Sequence, residues 1–337
     1  MTDSNFFAQM PKVELHVHIE GALKPDDYFD LAQKNGITLP VASREAWREF
    51  YAFRNFDNFI QVYTTSVGLL KSAADYQFIV ERFFAVQAAQ NIRYTEAFMS
   101  ASFMHTKDGA EALYDALEGA LAAGRKKYGI EVRLIPDFSR EIPGVQNAVA
   151  EFILGGAKRG VFIGAGLGGV EQDFPASLFK DNFDRLRAAG LHIPIHAGEA
   201  ADAWSVRDAV EILKAERVGH GLNLMQDADL VRYFSDTGLP VEISPTSNYC
   251  LNVVPRGEAH PIRKMVDAGI NCCVNSDDPG MFNTSLTAEY ELLAQQGFSR
   301  NELWQMNLNA IESSFMSCDE KSRLASEFQL WHKTSEM

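Results

Sequence analysis

Eight stretches that read as β-strands, each parted from the next by a helical pattern, constrain this chain more than any other feature. The first, Val13-Glu14-Leu15-His16-Val17-His18-Ile19-Glu20-Gly21, alternates aliphatic and polar residues before Gly21 and Pro25, as a strand entering a loop does. The others fall at 92–99, 131–137, 161–166, 192–196, 217–220, 240–244 and 271–276. Helical patterns at 25–35, 74–90, 109–128, 145–158, 181–189, 206–214, 227–236 and 262–268 lie between them, several stopped by a glycine such as Gly129, Gly190 or Gly238. From the second strand on, the repeat is roughly 25 to 40 residues, as βα units require. Eight such units predict an α/β fold, a closed (β/α)8 TIM barrel, rather than an open doubly wound sheet.

The 337 residues would also allow two ordinary domains, but no Pro- or Ser-rich linker divides them. One domain over 1–337 is therefore expected, with helices after Thr287 as C-terminal additions. Residues 37–70, rich in aromatics (Trp47, Phe50, Tyr51, Phe53, Phe56, Phe59, Tyr63), form an insertion after the first strand and are expected to be a helical lid over the site. The strand at 161–166 is expected to enter a glycine-rich turn at Leu167-Gly168-Gly169.

Barrel chemistry belongs at the C-terminal ends of the strands, and the polar residues collect there. His16 and His18 end the first strand, where side chains at i and i+2 share a face. His196 ends the fifth, His220 the sixth, and Asp277 and Asp278 the eighth, with Glu199 three residues past His196. Nitrogen ligands make zinc the first expectation, other divalent ions remaining open. Three imidazoles (His16, His18, His196) and one carboxylate (Asp277) leave a position for water, whose pKa the metal would lower. His220 is then free to act as general base or to hold the hydroxide. Glu199 serves as general acid if burial keeps it protonated, and Asp278 faces the substrate. Gly168-Gly169 lets a backbone N–H approach a ligand closely.

A formal charge of −14 argues against nucleic acid or an anionic membrane as partner. No charged leader with an apolar run opens the chain and no apolar segment is long enough to span a bilayer, which points to the cytoplasm. Cys250, Cys272, Cys273 and Cys318 include no C-x-x-C pair, so they read as reduced, mostly packed thiols. The P-C-x-x-C element of the His/Cys zinc deaminases is missing. His105, His260 and His332 read as surface or structural residues.

Pro11-Lys12-Val13-Glu14-Leu15-His16-Val17-His18, His196-Ala197-Gly198-Glu199, Val218-Gly219-His220-Gly221, Ser244-Pro245-Thr246-Ser247-Asn248 and Asn275-Ser276-Asp277-Asp278-Pro279 stand in the order and spacing of the adenosine deaminase family, which the chain resembles from Pro11 to beyond Tyr290. The resemblance implies a zinc-dependent hydrolytic deaminase that removes the 6-amino group of an adenine-type ring, with one zinc per chain held by His16, His18, His196 and Asp277. It implies that Glu199 protonates ring N1, that His220 assists the attacking hydroxide, that Asp278 contacts N7 and that the Gly169 backbone contacts N3. The substrate-facing set is thus His18, Glu20, Gly169 and Asp278, with Glu199, His220 and Asp277 catalytic.

Three departures bear on the substrate. Glu20 stands where adenosine-specific members resemble one another in having Asp, and adenine deaminases and some nucleoside relatives share that Glu. Gly166-Leu167-Gly168-Gly169-Val170-Glu171 replaces a D-L-A-G-D-E turn, and Ser139-Arg140-Glu141-Ile142-Pro143 resembles deaminases of 6-aminodeoxyfutalosine. Gly219-His220-Gly221 and Ala200-Ala201-Asp202 look more like nucleoside deaminases. The leading expectation is adenosine or 2′-deoxyadenosine, with 6-aminodeoxyfutalosine and free adenine as alternatives. AMP is disfavoured because no Lys/Arg cluster marks the βα loops, although Arg54 and Arg140 are unplaced by sequence. A purine- or metal-binding barrel without turnover, and a two-metal hydrolase bridged by a carboxylated lysine (Lys158 or Lys180 being the nearest), are the readings of other classes.

Overall fold

A computed structural model describes residues 3–52, 55–104, 106–142 and 144–335. Phe53, Arg54, His105 and Pro143, named above, lie outside the described residues. Eight parallel strands follow one another around a barrel in sequence order: β1 Lys12–His18, β2 Ile92–Ser100, β3 Glu131–Ser139, β4 Gly166–Gly168, β5 Pro194–Ala197, β6 Arg217–His220, β7 Val241–Ile243 and β8 Cys272–Val274. Nearly every strand residue is buried, as it must be when one face lines the barrel and the other lies under helices. The (β/α)8 TIM barrel expected from the repeat is the observed architecture.

Neighbouring strands from β1 to β8 pair through backbone ladders, but the seam between β8 and β1 is closed differently. The Asn275 side-chain oxygen accepts from the Leu15 N–H at 2.8 Å and the His16 N–H at 3.0 Å, standing in for a ladder. Two backbone bonds then follow, His18 N–H to the Asp277 carbonyl at 2.8 Å and Asp277 N–H to the His16 carbonyl at 3.1 Å. The seam therefore sets His16, His18 and Asp277 side by side. Helix Arg300–Ser313 braces its lower end, where Asn307 accepts from the Val13 N–H and donates to the Pro11 carbonyl.

The fourth strand differs from the expectation. Phe162 and Gly164 make only isolated bridges, and the regular ladder runs through Gly166, Leu167 and Gly168, the last two of which had read as the turn. Gly166 is there for packing: a Cβ on it would stand 2.7 Å from the Phe98 ring. The turn begins one residue later, at Gly169 with φ +86°.

Residues 37–70 form helices Arg44–Tyr51 and Phe56–Val67, started by Ser43 and Asn55 side chains that accept from the Ala46 and Asn58 N–H groups. Trp47 and Tyr51 belong to the core, whereas Phe56, Phe59, Ile60 and Tyr63 turn toward the mouth of the barrel. Among the described residues no helix is long and apolar enough to cross a membrane. The four cysteines are free, Cys272 and Cys273 buried and Cys318 exposed.

Candidate active site

Side chains from β1, β5, β6 and the residues after β8 converge at the C-terminal rim. His18 Nε2 lies 3.1 Å from His196 Nε2 and 3.4 Å from Asp277 Oδ1, and His16 Nε2 lies 3.4 Å from the same oxygen. Four ligands on a tetrahedral ion with bonds of about 2.0–2.1 Å stand roughly 3.3–3.4 Å apart, so this donor set fits one small divalent cation. His16 Nε2, buried, has no hydrogen-bond partner among the described residues, as a nitrogen kept for a metal would not. His16, His196, His220 and Asp277 form one cluster of suitable spacing, and His18 shares another with Asp277 and Asp278. The Phe98 ring forms the floor, with its centroid 5.0 Å from those of His16 and His196 and 5.1 Å from that of His18.

The imidazoles are held from behind. His16 Nδ1 meets Glu242 Oε2 at 2.8 Å, and the other oxygen of Glu242 accepts from Arg217, whose Nη2 pairs with Glu96 at 2.7 Å. Burial pushes Glu242 up, but Arg217 and His16 outweigh it and hold the carboxyl below the usual carboxylate range. Burial pushes His16 down, but Asp277 and Glu242 outweigh it and raise the ring to about 10; with a cation bound at Nε2, an ionised Glu242 would keep the remaining proton on Nδ1. Burial pushes His18 down to about 3 and His196 well below its ordinary value, so both are neutral, the form that binds metal.

On the other side stands Glu199. Burial, then Asp277 and Glu171, raise its carboxyl well above the ordinary range, which favours the protonated form that a general acid needs. Its loop is fixed by Glu171, which accepts from the Gly198, Glu199 and Ala200 N–H groups at 2.7–2.9 Å and from the Ser205 hydroxyl. His220 Nδ1 lies 3.5 Å from Glu199 Oε1 and its Nε2 lies 4.0 Å from Asp277 Oδ2. Both His220 (φ +60°) and Asp277 (φ +62°) hold left-handed backbone conformations, strain of order 1–3 kcal/mol each that site residues commonly carry. Burial and Asp277 push Asp278 well up, and its buried Oδ1 has no hydrogen-bond partner among the described residues.

A cleft opens above these groups. Phe56, Phe59, Ile60 and Tyr63 wall one side, and Tyr63 is tied to Ser100 by a 2.8 Å hydroxyl contact. Gly168, Gly169 and Glu141 wall the other. No Lys or Arg lines it among the described residues. Arg140 is buried, donating to the Phe174 and His196 carbonyls, and Lys158 and Lys180 are exposed.

Of the residues singled out from sequence, His16, His18, His196, Glu199, His220, Asp277 and Asp278 come together, with Gly169 on the opposite wall. Glu20 does not line the cleft: it is fully buried one residue behind, its Oε1 accepting from the Ser100 N–H at 3.0 Å. Sequence reasoning missed Asp137, Glu141, Glu171, Glu242 and Arg217. It also set His260 aside, which is buried and bonded to Asn248 beside His220, whereas His332 stacks on Trp304 far along the chain.

Comparison with known proteins bears on what such a site does. The chain matches the family described as adenosine deaminase over residues 11–331. A relative named adenine deaminase from Sinorhizobium medicae is 34% identical over 325 residues, covering 94% of this chain and 98% of the relative. The crystal structure of adenine deaminase from Arthrobacter aurescens superposes with a TM-score of 0.89 at 31% identity, over 96% of this chain and 99% of that one. An amidohydrolase from Burkholderia ambifaria, solved with bound Zn, superposes with a TM-score of 0.88 at 27% identity, over 98% and 94%.

Proposed function

Because the chain belongs to the adenosine deaminase family and is a hydrolytic deaminase acting on C–N bonds, we propose that its substrate is free adenine, converted with water to hypoxanthine and ammonia. The observation that carries this reading is the near full-length likeness to relatives named adenine deaminase. It displaces adenosine, the leading expectation from sequence, in favour of the base. Glu20, which adenine deaminases and some nucleoside relatives share in place of Asp, is compatible with either and stands behind the cleft. What agrees is the far wall of the cleft, where the Glu141 carboxylate lies against Gly169 and accepts from the Val170 N–H at 3.1 Å. A base seated with its N3 edge on Gly169 would present N9 to that carboxylate, which accepts from an N9–H and meets a sugar in a nucleoside.

A single zinc, the expected ion for three imidazoles and one carboxylate, would be held by His16, His18, His196 and Asp277 and would supply the Lewis acidity that makes water nucleophilic near neutral pH. The chain's own groups do the rest. Glu199 delivers its proton to N1, which relieves the charge that builds on the ring as C6 takes on oxygen and loses aromaticity. His220, on the metal side of the pocket, orients the attacking oxygen. Asp278 holds N7, and the Gly169 N–H holds N3. Phe56, Phe59 and Tyr63 form the lid that excludes bulk water. The C6–N bond breaks as the proton of the hydroxyl added at C6 passes to the amino group, which leaves as ammonia with C6 now a carbonyl, while the proton lost by the attacking water restores Glu199.

Steady-state rates for adenine, adenosine, 2′-deoxyadenosine, 6-aminodeoxyfutalosine and AMP on one zinc-loaded preparation test the substrate. Adenine is expected to show the largest kcat/KM. A larger value for any nucleoside overturns the base reading, and metal analysis giving two ions per chain overturns the single-zinc site.

A further inference from the structure

His260 lies between β7 and β8 in sequence and is 2% exposed, yet no part of the chemistry above uses it. Its contacts have a fixed polarity. The Ile262 backbone N–H donates to His260 Nδ1 at 3.2 Å, and a backbone amide can only donate. Nδ1 must therefore offer its lone pair, so the neutral ring carries its proton on Nε2. That Nε2–H faces Asn248 at 3.1 Å, which requires the amide oxygen of Asn248 to be the atom presented. The amide nitrogen then points the other way, at His220 Nδ1, 3.3 Å off. An NH2 group can only donate, so His220 Nδ1 must accept and its proton must sit on Nε2. Burial pushes His260 down to about 4, so its ring is neutral around pH 7.

We propose that Ile262 N–H, His260 and Asn248 form a one-way hydrogen-bond relay that locks His220 as its Nε2–H tautomer, making Asn248 and His260 positioning residues for the deamination. The relay resolves the choice left open by sequence between a general base and a donor at this position. A ring locked this way has no lone pair on the nitrogen turned to Asp277 and the metal cluster, so it holds the attacking oxygen by donating to it. Its Nδ1 lone pair, 3.5 Å from Glu199 Oε1, repels an ionised Glu199 and tolerates a protonated one. One backbone amide at the start of helix Ile262–Asp267 thereby sets the hydrogen-bond polarity beside both proton-handling groups. This assignment rests on the deaminase reading for the chemistry it serves, but not on which purine is the substrate.

Long-range 1H–15N NMR of histidine-labelled, zinc-loaded protein without substrate reads the tautomer directly, with His220→Gln used to assign the signal. The wild type is expected to show His220 protonated on Nε2; protonation on Nδ1 overturns the proposal. In Asn248→Asp, an acceptor-only side chain faces both rings, so His220 is expected to switch to the Nδ1–H tautomer. Its kcat should then fall by about 100-fold, the low end of what a proton-handling group contributes, with KM little changed. A folded Asn248→Asp protein that keeps the Nε2–H tautomer and normal kcat overturns it as well. If that variant does not fold, the wild-type spectrum alone decides. A different best substrate would sink the adenine reading and leave the tautomer result standing.

Discussion

His16 Nδ1 and Glu242 Oε2 stand 2.8 Å apart, joining the first strand to the seventh inside the barrel. Glu242 is in turn bonded to Arg217, so an imidazole at the rim is steered by a guanidinium buried deep in the strands. Glu242→Gln keeps the shape and removes the charge. It is expected to lower zinc affinity 10- to 100-fold, roughly the usual effect of losing a carboxylate behind a metal-bound histidine. Competition with a chromophoric chelator measures this. Unchanged affinity would remove His16 from the proposed ligand set.

Glu199→Gln removes the proton proposed for N1 and little else, because Glu171 holds the loop through backbone N–H groups that the substitution leaves alone. Turnover is expected to fall by about 10²–10⁴, with zinc content and unfolding midpoint close to wild type. A near-normal rate would show that another group delivers the proton.

What was legible in the sequence divides along physical lines. Strand and helix periodicities count βα units, and the rule that chemistry sits at strand C-termini picked out His16, His18, His196, His220, Asp277 and Asp278. The same rule reaches Asp137, which ends the expected third strand, but attention to histidines and to the His196–Glu199 run passed it over. Glu242 and Arg217 also left a signal, since a charge within a buried strand has only the barrel interior to face. Asn275 closing the seam, Glu171 holding the acid loop and His260 reaching Asn248 left none. They act through register and loop conformation, which periodicity does not encode. Gly168 misled because a glycine inside a strand and a glycine in a turn look alike in sequence.

Glu289 supplies a pH dependence away from the metal cluster. It is fully buried, accepting from the Thr246 N–H at 2.9 Å and the Thr284 hydroxyl at 2.5 Å, and burial pushes its carboxyl up from 4.5 to about 7. Between those values the folded protein keeps a proton that the unfolded chain has lost, so stability falls as pH rises through the window and is fully present only below about 4.5. Glu289→Gln abolishes this dependence while its amide still meets both threonines. Urea unfolding should find the variant more stable than wild type by about 3 kcal/mol at pH 8, the difference closing toward pH 4.5. A constant difference across that range would contradict the raised carboxyl.

Glu141 is where substrate choice can be tested with one side chain. Its carboxylate sits where a Cβ on Gly169 would collide with it, so only glycine at 169 lets the acid lie flat against the wall that is proposed to carry N3. An acceptor there rewards a ring nitrogen that bears hydrogen, as N9 of free adenine does, and offers nothing to the same nitrogen when it is glycosylated. Glu141→Ala removes both the acceptor and the obstruction. Losing a hydrogen bond to a charged group costs about 1.5–3 kcal/mol, so kcat/KM for adenine should drop roughly 10- to 100-fold. The space left behind should at the same time raise kcat/KM for adenosine relative to adenine. Glu141→Gln, which keeps the bulk, should lose adenine activity without that gain for the nucleoside. Equal losses for both substrates in Glu141→Ala would mean that the residue supports the Val170 turn and does not read N9.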